Sequence, residues 1–192
     1  MTTAEPMRPD LARELITLAE QSAARRAQRL RNQLDAIQLG QGRHADHASA
    51  KVLRRILADH DCWPGHRLIG PDAARAAWSI ALHANDEPDF QRAAAVLLRR
   101  AVQADDAPVR HWAHLHDRAL INNGDNQEFG TQFLLGATRI ELCPVREPTA
   151  LDQRRASVGL PPTDVALEKM RHRLASMRAG QDSPTVVLAG AA

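Results

Sequence analysis

The sequence of 192 residues predicts a mainly α-helical fold with one β-hairpin. Apolar residues recur at spacings of three and four over most of the chain, which is the periodicity of one helix face. Proline, glycine and asparagine interrupt this periodicity at several points. Only residues 127–145 change to the alternation of a strand, around Gly136. We therefore expect an α+β protein in which helices dominate.

A long helix is expected at the N-terminus, over residues 9–39. It contains two apolar stripes, the second of which is formed by Leu30, Leu34 and Ile37. Gly40 should end the helix, because glycine weakens a helix interior. This helix should either pack on the rest of the protein or form a homodimer interface.

The remaining helices are predicted from start and stop signals. A Trp-Pro-Gly turn at residues 63–65 ends the second helix, and proline in the first turn marks helix starts at Pro71 and Pro88. The predicted helices are 45–60, 71–83, 88–104, 108–122, 149–158 and 163–179. The predicted organisation is an N-terminal helical arm (1–44), a helical domain with its hairpin near 127–143 (45–179) and a mobile tail (180–192).

Composition excludes several partners. The 25 basic residues nearly balance the 23 acidic residues, and the chain has no tyrosine and only three Trp and three Phe. Neither a polyanion partner nor a stacking platform for nucleic acid is expected. No run approaches the roughly 20 apolar residues of a membrane span, and the charged N-terminus does not resemble a secretory signal. We expect a cytoplasmic protein without nucleic-acid or membrane partners.

Residues 111–133 concentrate side chains suited to chemistry, where a helix meets a predicted strand. At 100° per residue, His116 lies on the inward arc of the helix and Asp117 at its edge, whereas His114 and Arg118 point the other way. His116 is therefore a candidate for acid–base catalysis. The alternative interpretation is a core histidine bonded to a backbone carbonyl, with His114 in solvent.

His83 is the main candidate for proton transfer. It ends a helix, and the negative end of the helix dipole should raise its pKa. In the functional interpretation His83 moves a proton, Asp117 orients it and Arg118 binds an anionic substrate group. In the structural interpretation His83 caps the helix, and Asp117 and Arg118 make ion pairs.

Amide, hydroxyl and indole groups are candidates for positioning the substrate. On a strand, Gln127 and Thr131 would share one face and Gln132 would take the other. Trp78 lies on the helix that ends at His83 and completes this set. The alternative is ordinary polarity of an exposed strand.

The sequence offers weak signals for metals and cofactors. His111 and His114 are three residues apart and could share a metal on one helix face. The chain lacks HExxH, ExxH and CxxC patterns, and it lacks P-loop, GxGxxG and GxSxG motifs. We expect no metal and no organic cofactor, and a metal-dependent enzyme built on the histidine cluster stays an alternative.

A series of short motifs runs along the chain: Trp63-Pro64-Gly65, Gly70, Trp78, His83-Ala84, Asp117-Arg118, Gln127, Gly130-Thr131-Gln132, Arg154-Arg155 and Gly159-Leu160. Together they resemble a bacterial family of uncharacterised domains, the domain of unknown function 6624. The family pattern runs approximately W-P, Q-H-A, D-R, Q-x-Y-G-T-Q and R-R-x-x-x-G-L. The resemblance covers about residues 50–165, without the first helix or the tail.

The chain departs from this pattern at four positions. Leu82 replaces a glutamine and Phe129 a tyrosine, while His114 replaces another tyrosine and His116 a smaller residue. If those tyrosines carry a shared activity, it is lost or altered here. The resemblance implies no particular activity, but it favours site roles for His83, Asp117, Arg118, Gln127, Thr131 and Gln132.

The sequence therefore favours a small enzyme that uses cofactor-independent acid–base chemistry on a polar small molecule or a modified peptide. It would be a lyase, cyclase, isomerase or hydrolase of specialised metabolism. The main alternative is a non-catalytic helical module that binds a partner or dimerises. A cavity joining His83 and Asp117 would favour the enzyme, and a filled core would favour the module.

Overall fold

A computed structural model describes residues 6–30, 35–135 and 140–179. These described residues are 73% helical and form seven helices and a two-stranded antiparallel hairpin, so the predicted fold class is confirmed. The helices are α1 (Pro9–Leu30), α2 (Ala36–His60), α3 (His66–His83), α4 (Pro88–Gln103), α5 (Val109–Asn122), α6 (Leu151–Ser157) and α7 (Thr163–Ala179). The strands are β1 (Phe133–Leu135) and β2 (Ile140–Leu142).

The N-terminal helix is shorter than predicted. α2 begins at Ala36 because Asp35 forms a capping box: its carboxylate accepts the Gln38 N–H at 2.8 Å, and the Gln38 side chain accepts the Asp35 N–H at 2.9 Å. α2 then continues through Gly40, where an added Cβ would meet no atom of another part of the chain within 4 Å. The prediction of one helix over 9–39 ended by Gly40 is therefore wrong.

One member of the second apolar stripe of that predicted helix is exposed. Ile37 is 73% exposed on α2. Leu34 lies outside the described residues. The leucine pattern was misleading because its members are divided between two chain segments.

The first helix belongs to the main core. α1 packs along α3 and against α2. Leu15 of α1 is fully buried in the same cluster as Leu53 of α2 and Ile69 of α3. Each such side chain contributes roughly 1.5–3 kcal/mol when it leaves water. Packing of the first helix on the domain is thus as predicted, and a homodimer interface stays a prediction.

The Trp-Pro-Gly turn fixes the start of α3. Trp63, Pro64 and Gly65 are all buried. A Cβ on Gly65 would lie 2.5 Å from the backbone oxygen of Asp106, so only glycine fits there. A kink at Gly70, where φ is 77°, precedes the Pro71 start that the sequence predicts.

α5 is enclosed on two sides, and this packing determines which of its candidate site residues are buried. It packs against α3 and α4, and its other side meets a second small core formed by Ala113, Phe129 and Val158. Because of this enclosure, Asp117 is fully buried, although the helical wheel placed it at the edge of the inward arc.

The hairpin is shorter than the segment near 127–143 in which it is predicted. β1 pairs with β2 in antiparallel register, with Phe133 opposite Leu142 and Leu135 opposite Ile140. Gly136, the predicted centre of the turn, and the predicted tail 180–192 lie outside the described residues. Residues 127–132 form a loop, where the sequence predicts a strand.

The C-terminal helices α6 and α7 lie close to their predicted positions. The two helices contact each other. In the part of the chain that the structure describes, no helix has both the length and the apolarity needed to span a bilayer.

Candidate functional site

Asp117 organises the 127–132 loop. Its Oδ1 accepts the backbone N–H groups of Glu128 at 2.8 Å and Phe129 at 3.0 Å. Its Oδ2 accepts the N–H and the hydroxyl of Thr131, both at 2.9 Å. A buried carboxylate is costly unless hydrogen bonds satisfy it, and here backbone donors do so. These bonds explain why residues 128–131 form a loop: the N–H groups of Glu128, Phe129 and Thr131 bond to a side chain instead of a partner strand.

Gln127 and Gln132 close the same loop from within. The Gln127 amide nitrogen donates to the backbone oxygens of Gln132 at 3.0 Å and Cys143 at 2.8 Å, and its amide oxygen accepts the Gln132 N–H at 2.8 Å. The Gln132 amide nitrogen donates to the Thr131 hydroxyl at 2.8 Å. Gln127 is fully buried. The substrate-binding roles of Gln127, Thr131 and Gln132 stay predictions, while their observed contacts are internal.

Arg155 holds the carbonyl side of the loop. It is 2% exposed, and its Nη1 donates to the backbone oxygens of Phe129 at 2.7 Å and Gly130 at 2.9 Å. Its Nε donates to the backbone oxygen of Pro161 at 2.6 Å. Asp117 and Arg155 therefore fix the N–H groups and the carbonyls of one loop with opposite charges.

The half-buried face of α3 consists of Trp78, Ser79, Leu82 and His83. The Trp78 ring stacks on the His111 ring at 4.4 Å, and its indole N–H donates to the His111 backbone oxygen at 2.9 Å. The His114 ring meets the edge of Trp78 at 6.0 Å. His114 is thus half-buried against tryptophan, and the expectation of a histidine in solvent is wrong.

His83 lies one turn after Ser79 on this face. Arg26 of α1 reaches the same turn, where its Nη2 donates to the Ser79 hydroxyl at 3.4 Å. Burial, then the charge of Arg26 and then that of Arg118, lowers the pKa of His83 to about 3. The raised pKa expected from the helix end is therefore wrong. Burial and the charges of two arginines that are remote in sequence lower the pKa of His83, which is the opposite of the effect expected from the helix dipole.

Arg26 is held by a chain of polar contacts between α1 and α2. Its Nη1 bonds to the Ser22 hydroxyl at 2.6 Å, and Ser22 donates to the Asp46 carboxylate at 2.5 Å. Arg25 lies 3.5 Å from the same carboxylate. Burial lowers the pKa of Arg26, while the charge of Asp46 opposes this effect. These contacts hold the Arg26 guanidinium in place.

Arg118 of α5 acts on His83 through its charge. Its Nε is buried and has no hydrogen-bond partner among the described residues. Burial lowers its pKa, and the nearby Cys143 acts in the opposite direction. A buried donor without an acceptor is costly, and native proteins rarely leave one without a role. We call Arg25, Arg26, His83 and Arg118 the basic cluster.

His116 lies on the other side of α5. Its ring stacks on Trp112 at 5.2 Å, and its Nε2 is 3.0 Å from a Glu128 carboxylate oxygen, not a backbone carbonyl. With Arg99, it borders a cavity of about 240 Å³ between α4 and α5. His116 is therefore separated from His111 and His114, which lie against Trp78.

The histidines do not form a metal site in the described structure. Within residues 6–30, 35–135 and 140–179, no group of three or more His, Cys, Asp or Glu side chains is placed to hold a metal ion. The metal-dependent alternative therefore has no ligand set in these segments.

A sequence model of a family of unknown function (DUF6624) matches residues 9–174. The chain belongs to this family. The match includes α1, which the resemblance left outside, and so it includes both sides of the basic cluster. Comparison with curated proteins found no match, and comparison with solved structures found none either.

The structure brings together only part of the predicted site of this DUF6624 member. His83 and Arg118 act on each other electrostatically, whereas the hydrogen bonds of Asp117 go to the 127–132 loop. No hydrogen bond joins His83 to Asp117, both of which are described, and their pairing stays a prediction. Sequence reasoning missed Arg26, because nothing in its charged helix distinguishes it from neighbouring arginines.

The low pKa of His83 makes stability depend on pH. In the unfolded chain His83 should bind a proton near pH 6.5, but in the folded chain only near pH 3. Between these values protonation favours unfolding, so the contribution of His83 is present above pH 6.5 and is lost as the pH falls toward 3. From pH 7 to pH 5 we expect a loss of about 2 kcal/mol in the free energy of unfolding, or a melting temperature lower by about 4–8 °C.

Thermal melts of His83→Asn at the two pH values test this expectation. Between pH 7 and pH 5, the melting temperature of the variant should fall less than that of the wild-type protein. His44→Asn, at an exposed position of α2, is the matched control and should behave like the wild type. An equal loss in all three proteins would show that His83 is protonated normally.

Proposed function

We propose that this protein is an enzyme that performs cofactor-independent acid–base chemistry on a small molecule with an anionic group. His83 would exchange the proton, and Arg26 and Arg118 would bind the anion. The observation that carries the proposal is a half-buried histidine whose pKa is lowered by burial and by the charges of Arg26 and Arg118, the second of which has a buried donor without a partner among the described residues.

A bound anion would also activate His83. Positive charges of Arg26 and Arg118 contribute to its low pKa, and an anion would offset both of them. The pKa of His83 should then rise toward neutrality, where an imidazole is most effective as a general base. Substrate binding and base activation would thus be coupled. We assign Asp117 to the support of the 127–132 loop.

A second candidate function is anion binding without catalysis. It is favoured by the internal contacts of Asp117, Gln127 and Gln132, which form a structural network. In this case the arginines would hold a ligand, and the protein would act as a sensor or carrier. The two candidates differ in whether the bound anion is converted to a product.

We also propose a cytoplasmic location. Cys62 is exposed, Cys143 is buried, and both are free thiols. Free thiols are typical of reducing compartments. Alkylation of cells before lysis should find both cysteines reduced, and a disulfide at either would contradict the proposal.

A screen of small carboxylates, phosphates and sulfonates, followed by proton NMR, tests the enzyme function. The wild-type protein should convert at least one compound, and His83→Asn should slow that conversion by at least about 100-fold. The His44→Asn control should retain the wild-type rate, and all three proteins should melt within a few degrees of one another at pH 7. Conversion that survives in His83→Asn would contradict the assignment of the base. Binding without conversion would favour the second candidate.

A further inference from the structure

A cavity of about 240 Å³ lies between α4 and α5. Ala95 and Ala119 line it, and because both side chains are small and buried, they leave space between the two helices. Val96 also lines it and is 54% exposed, so the cavity is open to solvent. Pockets for drug-sized ligands typically measure roughly 300–1,000 Å³. This cavity therefore suits a smaller molecule of one or two rings.

One wall of the cavity is aromatic. The rings of Trp112 and His116, which both line it, stack with 5.2 Å between their centroids and 25° between their planes. The His116 Nε2 lies 3.0 Å from a carboxylate oxygen of Glu128, which holds the imidazole in this position. Phe129 meets the Trp112 ring edge-on at 5.4 Å and supports it from the second core. Aromatic rings attract one another in stacked and edge-to-face arrangements. A flat aromatic ligand would therefore extend a stack that is already held in place.

The Trp112 end of the cavity carries a positive charge. The Arg99 guanidinium lies over the Trp112 ring, 5.3 Å from its centroid, and it also lines the cavity. Among the described residues, Arg99 has no carboxylate partner. Its side chain is exposed, so a ligand in the cavity can reach its donors. This end of the cavity therefore favours a group with a negative charge.

The opposite end of the cavity has the opposite character. Arg92 lies two helical turns before Arg99, or about 10 Å along α4. It already donates to Asp89 and Asn123, and the Asn123 amide donates to the Asp125 carboxylate at 2.7 Å. The two carboxylates outnumber the one guanidinium at this end and would repel a second anionic group. A ligand should therefore carry one negative charge, at the Arg99 end.

We propose that this cavity binds a small aromatic monocarboxylate. The ring lies against Trp112 and His116, and the carboxylate accepts hydrogen bonds from Arg99, whose planar guanidinium matches it in charge and geometry. Binding also covers the exposed Val96 side chain. This inference goes beyond the proposed function, because it uses a different surface. At 100° per residue, His116 and Arg118 lie about 160° apart around α5.

Calorimetric titration of the full chain with four related compounds tests the inference at neutral pH. Phenylacetate is the probe, phenylacetamide lacks its charge, cyclohexylacetate lacks its aromaticity and acetate lacks its ring. Phenylacetate should bind at least about 5-fold more tightly than phenylacetamide or acetate, and at least about 3-fold more tightly than cyclohexylacetate. Equal binding of any of these three compounds would overturn the inference. So would a failure of phenylacetate, benzoate and indole-3-acetate alike to bind.

Arg99→Gln and Arg100→Gln are matched charge variants. Both arginines are exposed neighbours on α4, but Arg100 does not line the cavity. Arg99→Gln should weaken phenylacetate binding by at least about 5-fold, while Arg100→Gln should weaken it by less than about 2-fold. Neither variant should change the binding of phenylacetamide by more than about 2-fold. Equal weakening of phenylacetate binding in both variants would indicate general charge attraction and contradict the assigned site.

NMR spectra of the wild-type protein locate the ligand independently of any variant. Saturating phenylacetate should shift the ring signals of Trp112 and His116 more than those of Trp78 and His83, which belong to α3. Contacts between the ligand ring and the Trp112 indole should appear as nuclear Overhauser effects. Larger shifts at Trp78 and His83 would place the ligand on α3 and overturn the inference.

Discussion

Replacing Asp117 with alanine should lower the melting temperature by about 10 °C, one of the largest losses expected for a single substitution in this protein. The side chain is fully buried and accepts the N–H groups of Glu128, Phe129 and Thr131. Without it, three backbone donors would lose their acceptor at once. Each loss costs about 1–3 kcal/mol, and partial relaxation of the loop reduces the total to roughly 3–5 kcal/mol.

Two matched variants show whether the backbone donors cause this loss. Thr131→Val removes the hydroxyl donor but keeps the Thr131 N–H, so it should cost only about 1 kcal/mol. Asp117→Asn keeps the shape of the side chain but turns one acceptor into a donor. Its loss of stability should lie between those of the other two variants. Hydrogen exchange should show faster exchange of the 128–131 amides in Asp117→Ala.

The same melts distinguish support from catalysis. If the Asp117 carboxylate only supports the loop, removing it should lower the stability of the protein, while the molecules that remain folded keep their activity. If Asp117→Ala melts within about 2 °C of the wild type but loses turnover, the structural role assigned here is wrong. The predicted pairing of Asp117 with His83 would then be favoured.

Most helix boundaries could be predicted because their signals are local. Pro88 begins α4, and Pro71 begins the part of α3 that follows the kink at Gly70, because each proline fixes its own φ angle and lacks an N–H. The boundary between α1 and α2 was missed although Asp35 and Gln38 form a recognisable capping box. The leucine spacing across this boundary predicts a continuous helix, and Gly40 does not end α2.

The site was harder to predict because its contacts are distant in sequence. The polar 127–132 segment alternates like a strand, but Asp117 and Arg155 take its N–H and carbonyl groups. The pKa of His83 depends on burial and on Arg26, a residue of another helix. Neither effect follows from residues near His83, and the local argument from the helix dipole gave the opposite sign.

Replacing Arg155 with methionine should destabilise the protein by about 3 kcal/mol, and so lower the melting temperature by about 6–12 °C. Methionine fills a similar volume, but the backbone oxygens of Phe129, Gly130 and Pro161 would lose their donor. Arg154→Met is the neighbouring control. It should cost less, because Arg154 is more exposed than Arg155 and most of its contacts are at the surface.

The double variant Asp117→Ala with Arg155→Met tests whether both charges hold one structural unit. If either substitution already releases the 127–132 loop, the second should add little, and the combined loss should be smaller than the sum by at least about 1 kcal/mol. Urea unfolding of the four proteins measures this coupling. Additive losses would show that Asp117 and Arg155 stabilise the loop independently. The loop would then not be the single two-sided element that its hydrogen bonds describe.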